Sequence, residues 1–164
     1  MSEKVDIRSM DRQELKAFFL GIGEKPFRAS QVYQWLHRKK ADSFASMTNL
    51  SEGLRQTLAE LCRLDAFAVA ERQVSRLDGT RKYAFLLADG NIIESVYMKY
   101  HYGVSVCISS QVGCRMGCRF CASTLGGLVR NLTPGEMLGQ IYAIEKDTGE
   151  RVSHVVVMGS GRCV

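Results

Sequence analysis

Four of the six cysteines fall within one short stretch: Cys107, Cys114, Cys118 and Cys121. The last three are spaced C-x3-C-x2-C, in the string Cys114-Arg-Met-Gly-Cys118-Arg-Phe-Cys121. Three thiolates can hold three corners of a [4Fe–4S] cube, whose fully protein-bound form takes four cysteines. The fourth iron then keeps an open position, as the missing protein ligand of a catalytic zinc site does. An amino acid such as methionine can chelate that iron through its amine and carboxylate. The sulfonium of S-adenosyl-L-methionine then lies beside the cluster, and one electron breaks its carbon–sulfur bond to give a 5′-deoxyadenosyl radical. The competing reading is a structural zinc with His101 or His154 as fourth ligand, which the C-x3-C spacing disfavours because zinc knuckles prefer C-x2-C.

Composition narrows the setting. Apolar residues make up 46% and charged ones 24%, the balance of a soluble globular protein that builds a core without disulfide staples. The first residues, MSEKVDIRSMDRQELK, resemble neither a secretory h-region nor a transit peptide, and no apolar run is long enough to span a membrane. The expected location is therefore the reducing cytoplasm, where clustered thiols more often hold metal. The net charge of +5 permits nucleic-acid binding without demanding it. More telling is a stretch from Glu94 to Glu136 with no acidic residue between, in which Lys99, Arg115, Arg119 and Arg130 fall. A thiolate cluster, a cofactor carboxylate and an RNA phosphate are all anions that such a stretch would suit.

The elements that must position these residues read as follows. Residues 1–65 form a small helical domain. Asp11 with Glu14 predicts a capping box and Gly21 with Gly23 a stop. A second helix is expected near Ala29–Lys39, with Val32, Trp35 and Leu36 inward. A third starts at Ser51 and carries Leu54, Leu58 and Leu61. The run His37-Arg38-Lys39-Lys40 either complements the helix dipole or meets RNA phosphate. Residues 66–102 read as a β-hairpin connector: Arg81–Leu87 and Asn91–Met98 flank Asp89-Gly90. Residues 103–164 read as strand Gly103–Ser109, cysteine loop, helix Pro134–Asp147 capped by Thr133, and strand Ser153–Met158, the last apolar enough to be buried on both faces. That order is a βαβ unit. The fold class is therefore α/β, with a helical domain, a hairpin connector and the beginning of a larger α/β domain. Cys107 alternates with Val104, Val106 and Ile108 and shares its face with Ser105 and Ser109, a polar pocket face. Period-2 counting places Glu94 with Ile92, Val96 and Met98, apolar company in which a raised carboxyl pKa, suited to a general base, is expected; the alternative is an edge-strand glutamate in solvent.

The string Cys107-Ile-Ser-Ser-Gln-Val-Gly-Cys114 through Cys121 resembles the bacterial radical SAM RNA adenine-C2 methyltransferases, the RlmN/Cfr family. So do Lys25-Pro-Phe-Arg28-Ala-Ser-Gln31-Val-Tyr-Gln-Trp35, Met47-Thr-Asn-Leu-Ser51, Arg130-Asn-Leu and Val157-Met-Gly159. The resemblance spans essentially the whole chain. It implies a partial (β/α)6 radical SAM barrel and methylation of carbon 2 of an adenosine in 23S rRNA and of one near the tRNA anticodon. It also implies a [4Fe–4S] cluster on Cys114, Cys118 and Cys121, and S-adenosyl-L-methionine as cofactor with Gly159 and Gly161 among its contacts. A flavodoxin-type electron donor and a monomeric, membrane-free enzyme are implied as well. Cys107 matches the family's resolving cysteine and Glu94 its proton acceptor.

The departure comes at the end. After Gly161 the family continues Glu-Pro, part of the grip on the cofactor's amine, whereas Arg162 and Cys163 stand here. The methyl-carrying cysteine and later barrel strands do not follow. The resemblance thus implies a truncated or frame-shifted copy without activity by itself. Two alternatives stay open at this point: a non-catalytic RNA-binding or zinc-binding fragment, and a carbon-8-specific member of the family.

Overall fold

The protein is described by a computed structural model over residues 4–64 and 67–157. It divides at Ala66/Phe67 into two units. The first holds β1 (Val5–Asp6), α1 (Arg12–Gly21), α2 (Phe27–His37), α3 (Glu52–Leu61) and β2 (Cys62–Arg63). The Asp11 carboxylate accepts from the Gln13 and Glu14 amides while Glu14 accepts from the Asp11 amide, so the capping box forms as expected. Ser51 caps α3 by accepting from the Leu54 amide. Helix α2 begins earlier than periodicity suggested, because Pro26 already has helical backbone angles before Phe27. Ile7, Leu15, Phe19, Val32, Leu36, Met47 and Leu58 are fully buried between the helices. Unforeseen, β1 and β2 pair in parallel and tie the two ends of the unit together.

The basic run after α2 is partly engaged inside this unit. Lys39 Nζ lies 3.5 Å from the Trp35 ring centroid, and Trp35 Nε1 donates to Asn49. The His37 ring lies against that of Tyr33, tilted by 49° at a centroid distance of 4.5 Å. Its pKa is held below the ordinary histidine value, first by burial and then by the Arg8 and Arg12 cations.

The second unit is a five-stranded sheet with one covering helix. Its strands are β3 (Ala68–Val74), β4 (Arg81–Leu86), β5 (Ile92–Tyr100), β6 (Gly103–Ile108) and, after α4 (Pro134–Thr148), β9 (Val152–Val157), in the spatial order β3-β4-β5-β6-β9. Between β6 and α4, the short strands β7 (Gln111–Gly113) and β8 (Leu128–Asn131) form a separate ribbon. Neighbours from β3 to β6 are antiparallel, and β6 pairs with β9 in parallel across α4, giving the expected βαβ unit. Among the described residues, no helix is long and apolar enough to cross a membrane.

Two expectations change. The hairpin is not a separate connector: β3 adds a strand to it, and β5 pairs with β6, so residues on both sides of position 102 share one sheet. The β3 run Ala-Val-Ala-Glu-Arg-Gln-Val lies exposed at the sheet edge, so it lacks the burial-driven alternation by which strands are recognised. The last strand is not buried on both faces either, since Val155 and Val156 are 45% and 40% exposed at the opposite edge.

Helix α4 covers one face of the sheet, burying Tyr83, Phe85, Ile93, Tyr97, Val104, Val106 and Ile108 with its own Ile144. Gly139 lets the Phe67 ring approach the helix so closely that a Cβ there would collide with it. The C-terminal end of α4 is pinned by two carboxylates. Asp147 accepts from Arg72, Arg81 and the Tyr83 hydroxyl; Glu150 accepts from Tyr97 and Lys99. Burial, and then the bond to Asp147, pushes the Tyr83 phenol up to about 12.

Candidate functional site

The cysteine loop hangs from the C-terminal end of β6, on the β7–β8 ribbon. Gln111 pairs with Asn131 and Val112 with Arg130, and the Cys114 amide donates to the Gly127 carbonyl at 3.0 Å. Gly113 lies at φ +72, and a Cβ there would collide with the Gly127 carbonyl oxygen, so only glycine lets the ribbon close at the first cysteine. Within the loop, the Thr124 hydroxyl lies 3.0 and 2.8 Å from the carbonyls of Cys118 and Cys121, and the Cys121 amide donates to Cys118. The Met116 amide points at Cys114 Sγ, 3.5 Å away. Cys114 is buried; Cys118 and Cys121 are partly exposed, and all three are reduced. Phe120, between them, is 94% exposed.

Three reduced thiols on one glycine-closed loop are the right donor set for an iron–sulfur cube. Their sulfurs do not converge here: among the described residues, no three His, Cys, Asp or Glu side chains are gathered as a metal site. The histidines considered as zinc ligands lie elsewhere. His101 sits in the turn before β6 and His154 pairs with Ser105, whereas the cysteine loop follows the other end of β6.

The platform beneath the loop is a buried polar junction. Gln140, fully buried in α4, accepts through Oε1 from the Ser95 hydroxyl (2.7 Å) and the Ser109 amide (2.9 Å). Its Nε2 donates to the Ser109 carbonyl at 2.9 Å. The Ser109 hydroxyl in turn donates to the Glu94 carbonyl at 2.7 Å. One side chain thus engages the peptide groups at the point where β6 gives way to the loop. A signal for it was present in the sequence: a glutamine within the apolar stripe Met137–Ile141–Ile144 needs buried partners. Arg130 makes a second clamp, with its Nε 2.6 Å from Asp89 and its two terminal nitrogens each 2.8 Å from the buried Glu136 carboxylate, which also caps α4. Arg130 is therefore engaged internally and not held out to an anion as its place in the acid-free stretch suggested. Arg115 and Arg119 are exposed on the loop.

The sheet face away from α4 carries the other predicted residues. Lys82, Val96, Cys107 and Val156 align in one row across β4, β5, β6 and β9, and Ala84 and Glu94 make the next row toward the loop. Cys107 lies on this open face, as the alternation required, and is not buried in the core. Glu94 shares that face with Ile92, Val96 and Met98, but the face is open. Its side chain is 53% exposed and ion-paired with Lys82 at 2.8 Å. The burial from which a raised pKa was expected is thus not found. Gly159, Gly161, Arg162 and Cys163 lie outside the described residues.

Residues 5–64 match the family model of the ribosomal RNA large subunit methyltransferase N-terminal domain. The chain is 64% identical over 95% of its length to a protein of Lachnospira eligens described as a probable dual-specificity RNA methyltransferase RlmN. It is 58% identical over 98% of its length to the similarly described protein of Lachnoclostridium phytofermentans. It covers 45% of each of these relatives. The crystal structure of a radical SAM methyltransferase from Sphaerobacter thermophilus superposes with a TM-score of 0.87 at 36% identity, over 96% of this chain and 47% of that one. The second unit accordingly has the topology of the opening portion of a radical SAM barrel.

Proposed function

We propose that this chain, a homologue of the N-terminal part of the RlmN-type radical SAM RNA methyltransferases, supplies the cluster loop and part of the catalytic face of an enzyme that methylates carbon 2 of adenosine in 23S rRNA and tRNA. The observation that carries this reading is the placement of the C-x3-C-x2-C loop at the C-terminal end of β6, with Cys107 and Glu94 on the open face beside it. Active sites of α/β barrels gather at that end of the strands.

Cys114, Cys118 and Cys121 would hold a [4Fe–4S] cluster, which requires the loop to draw their sulfurs together. S-adenosyl-L-methionine held at such a cluster would, given an electron from a flavodoxin-type donor, supply the radical chemistry that an unactivated aromatic carbon needs. Gly159 and Gly161 are proposed contacts of that cofactor, and the helical unit is proposed to contact RNA. After the methylene group has been added to the ring carbon and the odd electron of the adduct has been returned to the oxidised cluster, Glu94 would take the proton from that carbon. The Cys107 thiolate then attacks the sulfur of the methyl-carrying cysteine. A disulfide forms, the carbon–sulfur electron pair passes to the methylene carbon, and a proton completes the methyl group.

Anaerobic reconstitution tests the loop: about four irons per chain are expected, lost on Cys114→Ala, Cys118→Ala or Cys121→Ala and kept in Cys62→Ala. One zinc and no absorbance near 400 nm would instead identify a zinc-binding fragment. For the reaction, the chain is completed with the C-terminal part of the Lachnospira eligens relative and assayed by nucleoside mass spectrometry. The product expected is 2-methyladenosine; 8-methyladenosine would assign the other regiochemistry. Cys107→Ala should leave enzyme covalently trapped on RNA, and free turnover by that variant would remove it from the resolving role. The 164-residue chain alone is expected to form no product.

A further inference from the structure

We propose that Lys82 is a positioning residue for Glu94, holding its carboxylate at the place where the ring proton must be delivered; this rests on the reading of Glu94 as proton acceptor. Lys82 lies in the row of Cys107, one row further from the loop than Glu94, and its Nζ reaches diagonally across the strands to Glu94 Oε1 at 2.8 Å. Glu94 is thereby held at both ends. Its backbone carbonyl accepts from the Ser109 hydroxyl, itself anchored through Gln140, and its carboxylate meets the ammonium.

The pair has little to do with stability. Both side chains are about half exposed, and ion pairs with such exposure add almost nothing to folding. What the ammonium does is restrict a side chain that otherwise rotates freely over an open face. It stands within the row of the resolving thiol, so carboxylate and thiol are presented on one face, from adjacent strands, to a single bound base. The pairing also fixes the order of events. An ionised carboxylate keeps the ammonium. Once it has taken the ring proton, the attraction is lost and the lysine is released to RNA phosphate or solvent.

The test uses the chain completed with the C-terminal part of the Lachnospira eligens relative, and follows the covalent protein–RNA adduct by rapid quench and denaturing gel. Lys82→Met should form the adduct at the parental rate and discharge it about 10-fold to 100-fold more slowly, the order of loss expected when a reacting group is misplaced. Lys82→Arg should restore discharge. In a Glu94→Gln background, Lys82→Met should add no further slowing, because a positioning residue has nothing left to position. Parental discharge by Lys82→Met, beside slow discharge by Glu94→Gln, would overturn the role of Lys82 and leave that of Glu94 standing. Slower adduct formation with normal discharge, or additive slowing in the double variant, would also overturn it and mark Lys82 as an RNA contact. Normal discharge by Glu94→Gln would overturn both readings. Circular dichroism and iron loading confirm that each variant is folded.

Discussion

Replacing Gln140 by leucine keeps nearly the same volume and removes the three hydrogen bonds by which Gln140 engages Ser95 and Ser109 under the cysteine loop. The Ser109 amide and carbonyl lose a partner at 2.9 Å each, and the Ser95 hydroxyl loses one at 2.7 Å. Ser109 is fully buried and Ser95 is 2% exposed, so water does not readily substitute. A buried polar group deprived of its partner costs about 1–3 kcal/mol. The Ser95 hydroxyl can rotate toward another acceptor, so two backbone groups set the scale, roughly 2–6 kcal/mol. That is a large part of the ~5–15 kcal/mol that holds a domain folded. With a urea dependence of about 1–3 kcal/mol per molar, the second unit should unfold about 0.7 M earlier or more. The chain's single tryptophan, Trp35, lies in the first unit, so its fluorescence transition should not move. Amide exchange across residues 103–111 reports the second unit. Gln140→Glu adds a sign. To satisfy the Ser109 carbonyl the new carboxyl must keep its proton, so its folded pKa rises above the unfolded value of about 4.3. Its deficit against the parent should then be small below that pH and grow as pH rises through the folded value. An unchanged urea midpoint for Gln140→Leu, or a shift seen only by Trp35, would refute the junction's role.

Two further outcomes follow from the loop and the core. Gly113→Ala places a Cβ against the Gly127 carbonyl at a backbone angle that L residues rarely adopt; it should cut iron loading severely while circular dichroism of the sheet persists. Burial pushes the Cys62 thiol up to about 11, so iodoacetamide at pH 8 should alkylate Cys118 and Cys121 in the native chain well before Cys62, as read by peptide mass spectrometry.

Much of the architecture was legible because local chemistry dictates it. The capping residues Asp11, Ser51 and Thr133 sit where the helices begin, since each satisfies orphan amides within its own first turn. The alternation of Val104, Val106 and Ile108 with Ser105 and Cys107 marked which face of β6 meets a helix, because a strand presents side chains with period two. The proposal of a cluster on Cys114, Cys118 and Cys121 rests on their spacing and not on any feature of the fold. Tertiary structure alone decided what depends on partners far apart in the chain. Glu94 was placed on the right face, yet whether that face is covered depends on where α4 packs, and α4 packs on the other side. Arg130 counted as a cation offered to an anion until Asp89 and Glu136 closed on it. Gln140 stood in an apolar stripe, and no local rule says which buried peptide it serves; only the fold brings Ser95 and Ser109 to it. Burial and hydrogen-bond satisfaction are sums over neighbours, and the fold chooses the neighbours.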